Sequence, residues 1–371
     1  MPWFRRERYE ASGSLNRAAW RKLRREPLAV ASMAFILLVA LIALGGYAFT
    51  PDRTPMANRQ HLELGTLRPG SRVTMLAVPR AGQRDTLGFF HTILFGRPDP
   101  VSYLPVAKVE QLPDAFHYIP YPDGDPASQP LLVEGRPVKE VSVRFLLGTD
   151  RFGRDLLSRL FIGARVSLSV GFISVFISLL IGIMLGALAG YFKGWVDDLI
   201  VWFINVVWSI PTLLLVIAIT FALGKGFWQV FVAVGLTMWV EVARVVRGQV
   251  LSVREKEYVE AGRALGFSDI RIIFRHILPN VMAPVIVISA ANFASAILLE
   301  AGLSFLGIGV QPPMPSWGTM IRENYAYIIL DKAYLALLPG LAIMSLVLAF
   351  MLLGNALRDA LDVRTNSGGG V

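Results

Sequence analysis

The sequence has no cysteine and few charged residues. The missing cysteine excludes disulfide bonds, thiol catalysis and cysteine-ligated metal sites. Charged residues make up 17% of the 371 residues and hydrophobic ones 54%, which is too apolar for an ordinary soluble domain. Three of the four histidines, His61, His91 and His117, are about 30 residues apart, without the paired spacing of a metal site. The composition therefore indicates a membrane protein, and we expect no metal site.

The sequence also lacks the motifs that carry most enzyme chemistry. No phosphate-binding P-loop is present, because the pair Gly307 and Gly309 lacks a third glycine and two prolines follow it. A Gly-x-Ser-x-Gly nucleophile motif is absent as well. We therefore expect a chain that is not an enzyme and carries no cofactor.

Six apolar runs are candidates for membrane-spanning helices, which need about 20 residues each. They comprise residues 28–49, 166–192, 199–223, 227–240, 281–299 and 335–353. The first run follows a basic segment, but it is longer than the apolar part of a signal peptide and no small-x-small cleavage site follows it. The predicted fold is an all-α integral membrane protein with six transmembrane helices. A long extracytoplasmic insertion, with some β-structure, separates helices 1 and 2.

Lysine and arginine are distributed unevenly between the segments that join these helices. Residues 1–27 hold eight of them, and the segment from Arg244 to Arg275 holds seven. Because short basic segments stay on the cytoplasmic side, both should be cytoplasmic, and six crossings place both termini there. Lys225, Arg322 and Lys332 are then on the outer side. The sequence has no basic stripe with interleaved aromatic residues, so we expect no nucleic-acid partner.

Residues 50–147 form the insertion and contain 13 of the 22 prolines. Residues 73–78 and 131–143 have the composition of strands, and the turn residues 134–137 predict that the second stretch is a hairpin. An extended, proline-stiffened cover is the alternative that the sequence leaves open.

The cytoplasmic segment at about 247–279 has the pattern of two short helices. In the first, Tyr258, Ala261 and Leu265 form an apolar stripe, and Gly266 suits the left-handed position that ends a helix. Ser268 or Asp269 is expected to cap the second. The stripe of the second helix comprises Ile270, Ile273, Phe274 and Ile277, and Pro279 is expected to end it.

The loop is too short to supply other residues that could bury the apolar stripes of both helices. A docking partner is one explanation, and an amphipathic hairpin lying flat on the bilayer is the other. A DNA-binding helix-turn-helix fits less well, because that motif belongs to a soluble domain with further supporting helices.

The residues of this loop resemble the EAA loop of permeases in binding-protein-dependent ABC importers. The resemblance rests on Glu260-Ala261-Gly262, Gly266 and His276-Ile277-Leu278-Pro279. Gly262 and His276 depart from the general pattern, and the histidine is similar to the peptide branch. Segments 20–28, 147–160 and 300–318 resemble the C-type permease of dipeptide, oligopeptide and nickel importers. The resemblance covers about residues 17–50 and 145–363 and does not extend to most of the insertion.

The resemblance implies the organisation of the chain. It has a cytoplasmic basic segment (1–27), transmembrane helix 1 (28–49), the insertion (50–147), a type I permease core (148–357) and a cytoplasmic tail (358–371). The implied membrane is the cytoplasmic membrane of a bacterium or archaeon. The implied partners are a second homologous permease, one or two P-loop ATPases that use ATP and Mg, and an extracytoplasmic solute-binding protein.

The resemblance also implies that the first loop helix is a coupling helix that docks into the ATPase. Glu260 is then a charge partner of the ATPase, and the alternative is a solvated helix face. Small residues let the partner approach closely, and the coupling residues are Tyr258, Glu260, Ala261, Gly262, Ala264, Gly266 and Pro279.

Few polar residues mark a path through the membrane. Glu241 is expected to pair with Arg244 at the cytoplasmic end of helix four. Glu300 is expected near the outer mouth, where it either meets a cationic substrate or binding protein or caps the turn at 302–309. Asn205 and Pro211 are candidates to line and kink the path, and helix packing explains them equally well.

A peptide substrate follows from the resemblance alone, and nickel or another small solute is the alternative. A self-sufficient secondary transporter is the less favoured class, because neither repeated halves nor ionisable residues at the bilayer midplane are found.

Overall fold

A computed structural model describes residues 15–80, 88–111, 116–122, 129–131, 138–224 and 226–361. Some sequence predictions lie outside these residues in whole or in part. They concern the basic segment before residue 15, the turn at 134–137, Lys225 and the tail after residue 361.

Twelve α-helices occur in the described part of the chain. They are α1 (Leu15–Arg25), α2 (Pro27–Phe49), α3 (Phe89–Phe95), α4 (Leu156–Phe192), α5 (Gly194–Trp208), α6 (Thr212–Leu223), α7 (Phe227–Val253), α8 (Glu257–Ala264), α9 (Asp269–Ile272), α10 (Leu278–Phe305), α11 (Trp317–Asn324) and α12 (Tyr334–Leu361). A π turn, Ile273–Ile277, joins α9 to α10.

Five of the described helical segments are long and apolar enough to cross a membrane. They are α2, α4, α7, α10 together with α9 and the π turn, and α12. The helices α5 and α6 meet the same criterion only as a pair, which is bent by 93° between Trp208 and Thr212. Counting this pair as one span gives six, so the predicted six-helix membrane fold is confirmed. The predicted third helix is broken near its middle.

Several spans are longer than the apolar runs that predicted them. Helix α4 begins at Leu156, ten residues before the predicted start, because Oδ2 of Asp155 accepts a hydrogen bond of 2.8 Å from the backbone N–H of Ser158 and caps the helix. With 37 residues at 1.5 Å each, α4 is about 55 Å long, and the hydrocarbon core is only about 30 Å thick. Part of α4 therefore extends beyond the hydrocarbon core.

The centre of the membrane part is the contact between α4 and α7. Gly182, Gly186 and Gly190 lie four residues apart on one face of α4 and press against α7. A Cβ atom at Gly186 would lie 2.5 Å from the carbonyl oxygen of Ala243. The absence of side chains on this stripe lets the two helix backbones approach closely.

The insertion contains an antiparallel sheet of five strands in the order β4-β3-β2-β1-β5. The strands are β1 (Arg72–Pro79), β2 (Val101–Gln111), β3 (Phe116–Pro120), β4 (Gln129–Leu131) and β5 (Lys139–Arg144). The strand predicted at 73–78 is therefore present, and the alternative of an extended cover is wrong.

The predicted hairpin within 131–143 is also wrong, because its two ends lie at opposite edges of the sheet. Leu131 pairs with Phe116 at one edge, and Val143 pairs with Val73 at the other. Val143 packs there against the small core of the sheet, which includes Val73 and Met75. This long-range packing decides the pairing, and no local turn signal shows it.

Hydrogen bonds fix the insertion to the ends of the membrane helices. The hydroxyl of Tyr334, at the start of α12, donates to the carbonyl of Leu67 at 2.6 Å. The backbone N–H of Asp52 donates to the hydroxyl of Ser158 in α4 at 3.0 Å. The segment that leads into the sheet is therefore held directly on the ends of α4 and α12.

Candidate functional site

The loop between α7 and α10 presents an exposed helix, α8. Glu257 and Glu260 lie in its first turn and Arg263 in its last, so the charges complement the helix dipole. Val259 and Gly262 are buried toward the membrane helices. The predicted stripe faces the other way: Tyr258 is 44% and Leu265 73% exposed, and Glu260, Ala261 and Ala264 are exposed as well. The stripe is therefore open to a partner.

Gly266 ends α8 in the left-handed conformation that the sequence predicts, with φ of +75°. The N–H of Phe267 donates to the carbonyl of Gly262 at 3.1 Å, and the N–H of Gly266 donates to the carbonyl of Arg263 at 2.9 Å. This pair of bonds is the Schellman motif. A Cβ atom at Gly262 would lie 3.4 Å from the ring of Phe267, an ordinary van der Waals contact, so the turn itself does not require glycine at this position.

The second loop helix does not end at Pro279, and that prediction is wrong. Helix α9 passes through the π turn into α10, and Pro279 lies in the first turn of α10. The change from α to π hydrogen bonding accommodates a residue that has no N–H to donate. The loop is therefore continuous with a membrane-spanning helix of 37 residues, Asp269–Phe305.

The predicted stripe of the second helix divides into two faces. Ile273 and Ile277 are buried in a cluster with residues of α4 and α7, whereas Ile270 and Phe274 are exposed. The predicted capping by a side chain of Ser268 or Asp269 is absent. Instead, Oδ1 of Asp269 accepts a hydrogen bond of 2.5 Å from the hydroxyl of Tyr191 at the end of α4.

A second contact ties the loop to the membrane helices. The ammonium group of Lys193, after α4, lies 3.0 Å from Oε1 of Glu255, before α8, and lowers the pKa of that carboxyl. The loop is therefore linked to the end of α4 on both sides of α8, once through Glu255 and once through Asp269.

The break between α5 and α6 borders a cavity of about 310 Å³. Residues of α5, α6, α7 and α10 line it. The lining residues with polar side-chain groups are Trp208, Thr212, Thr237, Glu241 and Ser295. Pro211 lies at the break and Asn205 on α5, both exposed, and neither is among the lining residues.

The predicted pair between Glu241 and Arg244 is wrong. No ion pair joins them in the described residues; the guanidinium of Arg244 lies 3.6 Å from the ring centroid of Trp208 instead. Helix α7 continues to Val253, so Glu241 is the fifteenth of its 27 residues and lies within the span, not at its end. Glu241 is thus a polar group of the cavity, which the apolar run lengths did not show.

Glu300 is completely buried near the end of α10. Its Oε1 accepts a hydrogen bond of 2.7 Å from the hydroxyl of Ser304, and that hydroxyl accepts one of 3.2 Å from the N–H of Val310. Of the two roles expected for Glu300, this geometry supports the one in which it holds the turn after α10.

An ionic cluster that was not predicted from the sequence joins the insertion side of α4 to α11. The guanidinium of Arg154 lies 2.6 Å from Asp150 and 2.5 Å from Glu323, and Arg159 lies 3.6 Å and 3.8 Å from the same two carboxylates. Both arginines are almost fully buried. The run Asp150-Arg-Phe-Gly-Arg154 within the segment 147–160 was the signal available in the sequence.

The chain is similar to proteins of known family. Residues 182–367 match the family described as "Binding-protein-dependent transport system inner membrane component", and residues 14–63 match "N-terminal TM domain of oligopeptide transport permease C". The dipeptide transport system permease protein DppC of Alkalihalophilus pseudofirmus is 42% identical over 226 residues, which cover 61% of this chain and 74% of that protein.

Another relative is the glutathione transport system permease protein GsiD of Pectobacterium atrosepticum. It is 42% identical over 221 residues, which cover 60% of this chain and 73% of that protein. Among solved structures, an inward-facing MetNI methionine ABC transporter aligns with a TM-score of 0.46 and 20% identity over 55% of this chain and 96% of that one.

Proposed function

The chain belongs to the family of binding-protein-dependent transport system inner membrane components and is a permease subunit of an ABC importer. We propose that it moves dipeptides or oligopeptides across the cytoplasmic membrane. The dipeptide and glutathione permeases that are 42% identical to it support this class of substrate. Nickel or another small solute is the alternative cargo. A secondary transporter is not the class that this family describes.

The energy comes from a separate ATPase chain that binds ATP and Mg and docks on α8. The observation that carries this proposal is the exposure of Tyr258, Ala261 and Leu265 on α8, together with the exposed carboxylate of Glu260. Exposed apolar side chains on a helix whose first turn carries two acidic residues, Glu257 and Glu260, suit a protein partner better than a lipid surface, which favours basic residues. Docking is therefore preferred over the flat interfacial hairpin.

Movement of the docked helix reaches the membrane through rigid elements. Gly266 fixes the turn after α8, and α9 continues through the π turn into α10. Ile273 and Ile277 hold this segment against α4 and α7. A displacement of α8 is thereby passed to the helix that carries Ser295 and Leu298 of the cavity.

A second permease subunit completes the pathway. Helices α5 and α6 expose large apolar side chains, among them Trp202, Trp208 and Phe221, and Trp208 also lines the cavity. In the paired assembly, Glu241 and Ser295 face the substrate path, and Glu241 suits the positively charged amino terminus of a peptide. The extracytoplasmic binding protein delivers the substrate on the side of the insertion.

The chain lies in the cytoplasmic membrane of a bacterium or archaeon with both termini in the cytoplasm. The support is the eight basic residues before residue 28 and the seven between Arg244 and Arg275. Lys22 of α1 donates a hydrogen bond to the carbonyl of Asp359 in α12, so the two described ends of the chain meet on one side.

Purification of the tagged protein from its host in mild detergent tests the assembly. We expect a P-loop ATPase and a second permease to co-purify. Glu260→Arg should reduce the recovered ATPase strongly while the second permease is retained. Glu140→Arg is the matched control, because Glu140 is an exposed acid on β5 of the insertion and should leave recovery unchanged. Solitary purification with intact transport in ATP-free vesicles would contradict the proposal.

Reconstituted complexes with the binding protein then decide the cargo. Uptake of labelled dipeptide that nickel does not compete with supports a peptide permease. Uptake of nickel without peptide transport would replace the peptide by the metal ion as substrate while leaving the importer assignment in place.

A further inference from the structure

Helix α3 in the insertion is apolar and unburied. It has the sequence Phe-Phe-His-Thr-Ile-Leu-Phe, and none of its residues is buried. The exposed fractions are 72% for Phe89, 78% for Phe90, 42% for Leu94 and 63% for Phe95. Three phenylalanines and a leucine exposed together on seven residues are unusual for a surface that faces water, and such patches mark contact with a membrane or a partner.

The guanidinium of Arg165 shows how deep α3 lies relative to the membrane. Its Nε donates to the carbonyl of Ala43 at 2.8 Å and its Nη2 to the carbonyl of Leu44 at 3.2 Å, both in α2. Its Nη1 donates to the carbonyl of Leu94 in α3. Since α2 ends at Phe49, the C-terminal turn of α3 lies level with residues about 7 to 9 Å inside the end of a membrane-spanning helix.

The end of α3 is also fixed against α2. Gly96 follows the helix with φ of +75°, and a Cβ atom there would lie 3.0 Å from the ring of Tyr47 and 2.8 Å from the carbonyl oxygen of Arg53. The N–H of Arg97 donates to the same carbonyl at 2.9 Å. The position of α3 beside the span is therefore set by several contacts of the backbone.

We propose that α3 is an interfacial anchor that inserts its phenylalanines into the outer leaflet of the lipid bilayer. The carbonyls of Leu94 and Leu44 bind the same guanidinium, and Leu41 and Leu44 of α2 are 54% and 65% exposed on a membrane-spanning helix. Arg165 extends between the two helices, and its guanidinium is bonded to backbone carbonyls of both. Aromatic side chains on one short helix beside a basic group suit the boundary between headgroups and acyl chains.

The anchor gives the insertion a second attachment to the membrane. The segment before β1 is held on α4 and α12 by Ser158 and Tyr334, and α3, between β1 and β2, holds the insertion against the lipid beside α2. The insertion then keeps a constant height above the bilayer. This inference depends only on the membrane fold and not on the substrate or the ATPase.

The absence of cysteine makes the test direct. Phe90→Cys carries a spin label in the complete complex, reconstituted into nanodiscs of phosphatidylethanolamine and phosphatidylglycerol. Collisions with oxygen, which concentrates in lipid, are compared with collisions with a water-soluble nickel chelate. Leu41→Cys is the lipid reference, and Ser142→Cys, on the exposed edge strand β5, is the water reference.

The label at residue 90 should show an oxygen-to-nickel ratio like that at residue 41 and several-fold above that at residue 142. A ratio equal to that at residue 142 would overturn the proposal, because α3 would then face water. Protection from both reagents would overturn it as well, since a protein partner would then cover the helix. Leu94→Cys repeats the measurement one turn further along α3, so a folding defect at one position leaves the other reading.

Discussion

The side-chain amide of Asn280 donates a hydrogen bond of 3.2 Å to the hydroxyl of Tyr258, 22 residues earlier. The bond joins α8, the proposed docking helix, to the first turn of α10. The same amide donates to the carbonyl of His276 at 2.7 Å, so its position is fixed by the π turn. Helix α8 therefore contacts the membrane span directly, in addition to the covalent route through Gly266 and α9.

Tyr258→Phe removes the hydroxyl and keeps the apolar ring. We expect the ATPase to co-purify as before, while the stimulation of ATP hydrolysis by the loaded binding protein falls. A single exposed hydrogen bond contributes about 0.5–1.5 kcal/mol, so the fall should be partial. Steady-state ATPase assays with and without substrate measure it.

Tyr325→Phe is the matched control for this variant. Tyr325 is an exposed tyrosine on the side of the membrane that carries the insertion. Its substitution should leave stimulation unchanged. Equal stimulation in Tyr258→Phe and the unmodified protein would show that the Asn280 contact plays no part in coupling.

Gly266 should tolerate asparagine and not valine. No atom of another residue lies within 4 Å of a Cβ built there, so space is not the limit. The limit is the φ of +75°, a conformation that asparagine adopts readily and a β-branched residue rarely does, at about 1–2 kcal/mol or more. Gly266→Val should lower ATPase recovery while membrane insertion persists, and Gly266→Asn should keep most of it. Equal recovery with valine would remove the turn from the docking geometry.

Local signals in the sequence were sufficient to predict the membrane-spanning helices and the turn at Gly266. Run length identifies a helix that crosses a bilayer, because the lipid imposes the length and a hydrogen-bonded backbone. Gly266 is predictable for a similar reason, since its φ depends on the residue itself and not on distant contacts.

The predictions from sequence that proved wrong concern places where contacts with distant residues decide the structure. From local sequence alone, Pro279 is expected to end a helix. In the structure, Ile273 and Ile277 are buried against α4 and α7 and stabilise the π turn, so that the helix continues beyond Pro279. Strand β5 pairs with β1, more than 60 residues away, and not with its neighbour β4. Glu241 faces a cavity that exists only once α5, α6 and α10 surround α7.

Gly186→Ala and Gly248→Ala should change stability in opposite directions. Replacing glycine by alanine within a helix ordinarily stabilises by about 0.5–1 kcal/mol, which is the effect expected at Gly248, where the surroundings are open. At Gly186 the new methyl would lie 2.5 Å from a backbone oxygen of α7 and force the two helices apart, at about 1–3 kcal/mol. Thermal unfolding in detergent compares the two. A stabilised Gly186→Ala would mean that the helices do not pack this closely.

Acidification should destabilise the insertion through His61. Burial is the main cause that lowers the pKa of His61 below its ordinary 6.5, and the positive charge of Arg59 is the second cause. The Nε2 atom of His61 has no hydrogen-bond partner in the described structure. The folded state therefore prefers the neutral imidazole, whereas the unfolded chain takes up a proton below about 6.5. Stability is highest above that pH and is lost as the pH falls through it. Hydrogen exchange of the β1 amides, corrected for the intrinsic rate, should show weaker protection at acid pH.

Asp155 lies in the wall of the same small cavity as His61, and its titration has the opposite sign. Burial raises the pKa of this carboxyl above 3.8, so the folded state binds its proton more readily than the unfolded chain does. Its contribution to stability improves as the pH falls, and it cannot cause the acid loss. His61→Gln should therefore abolish or reverse the pH dependence, whereas His91→Gln on the exposed helix α3 should leave it in place. An unchanged acid loss in His61→Gln would assign the effect to another group.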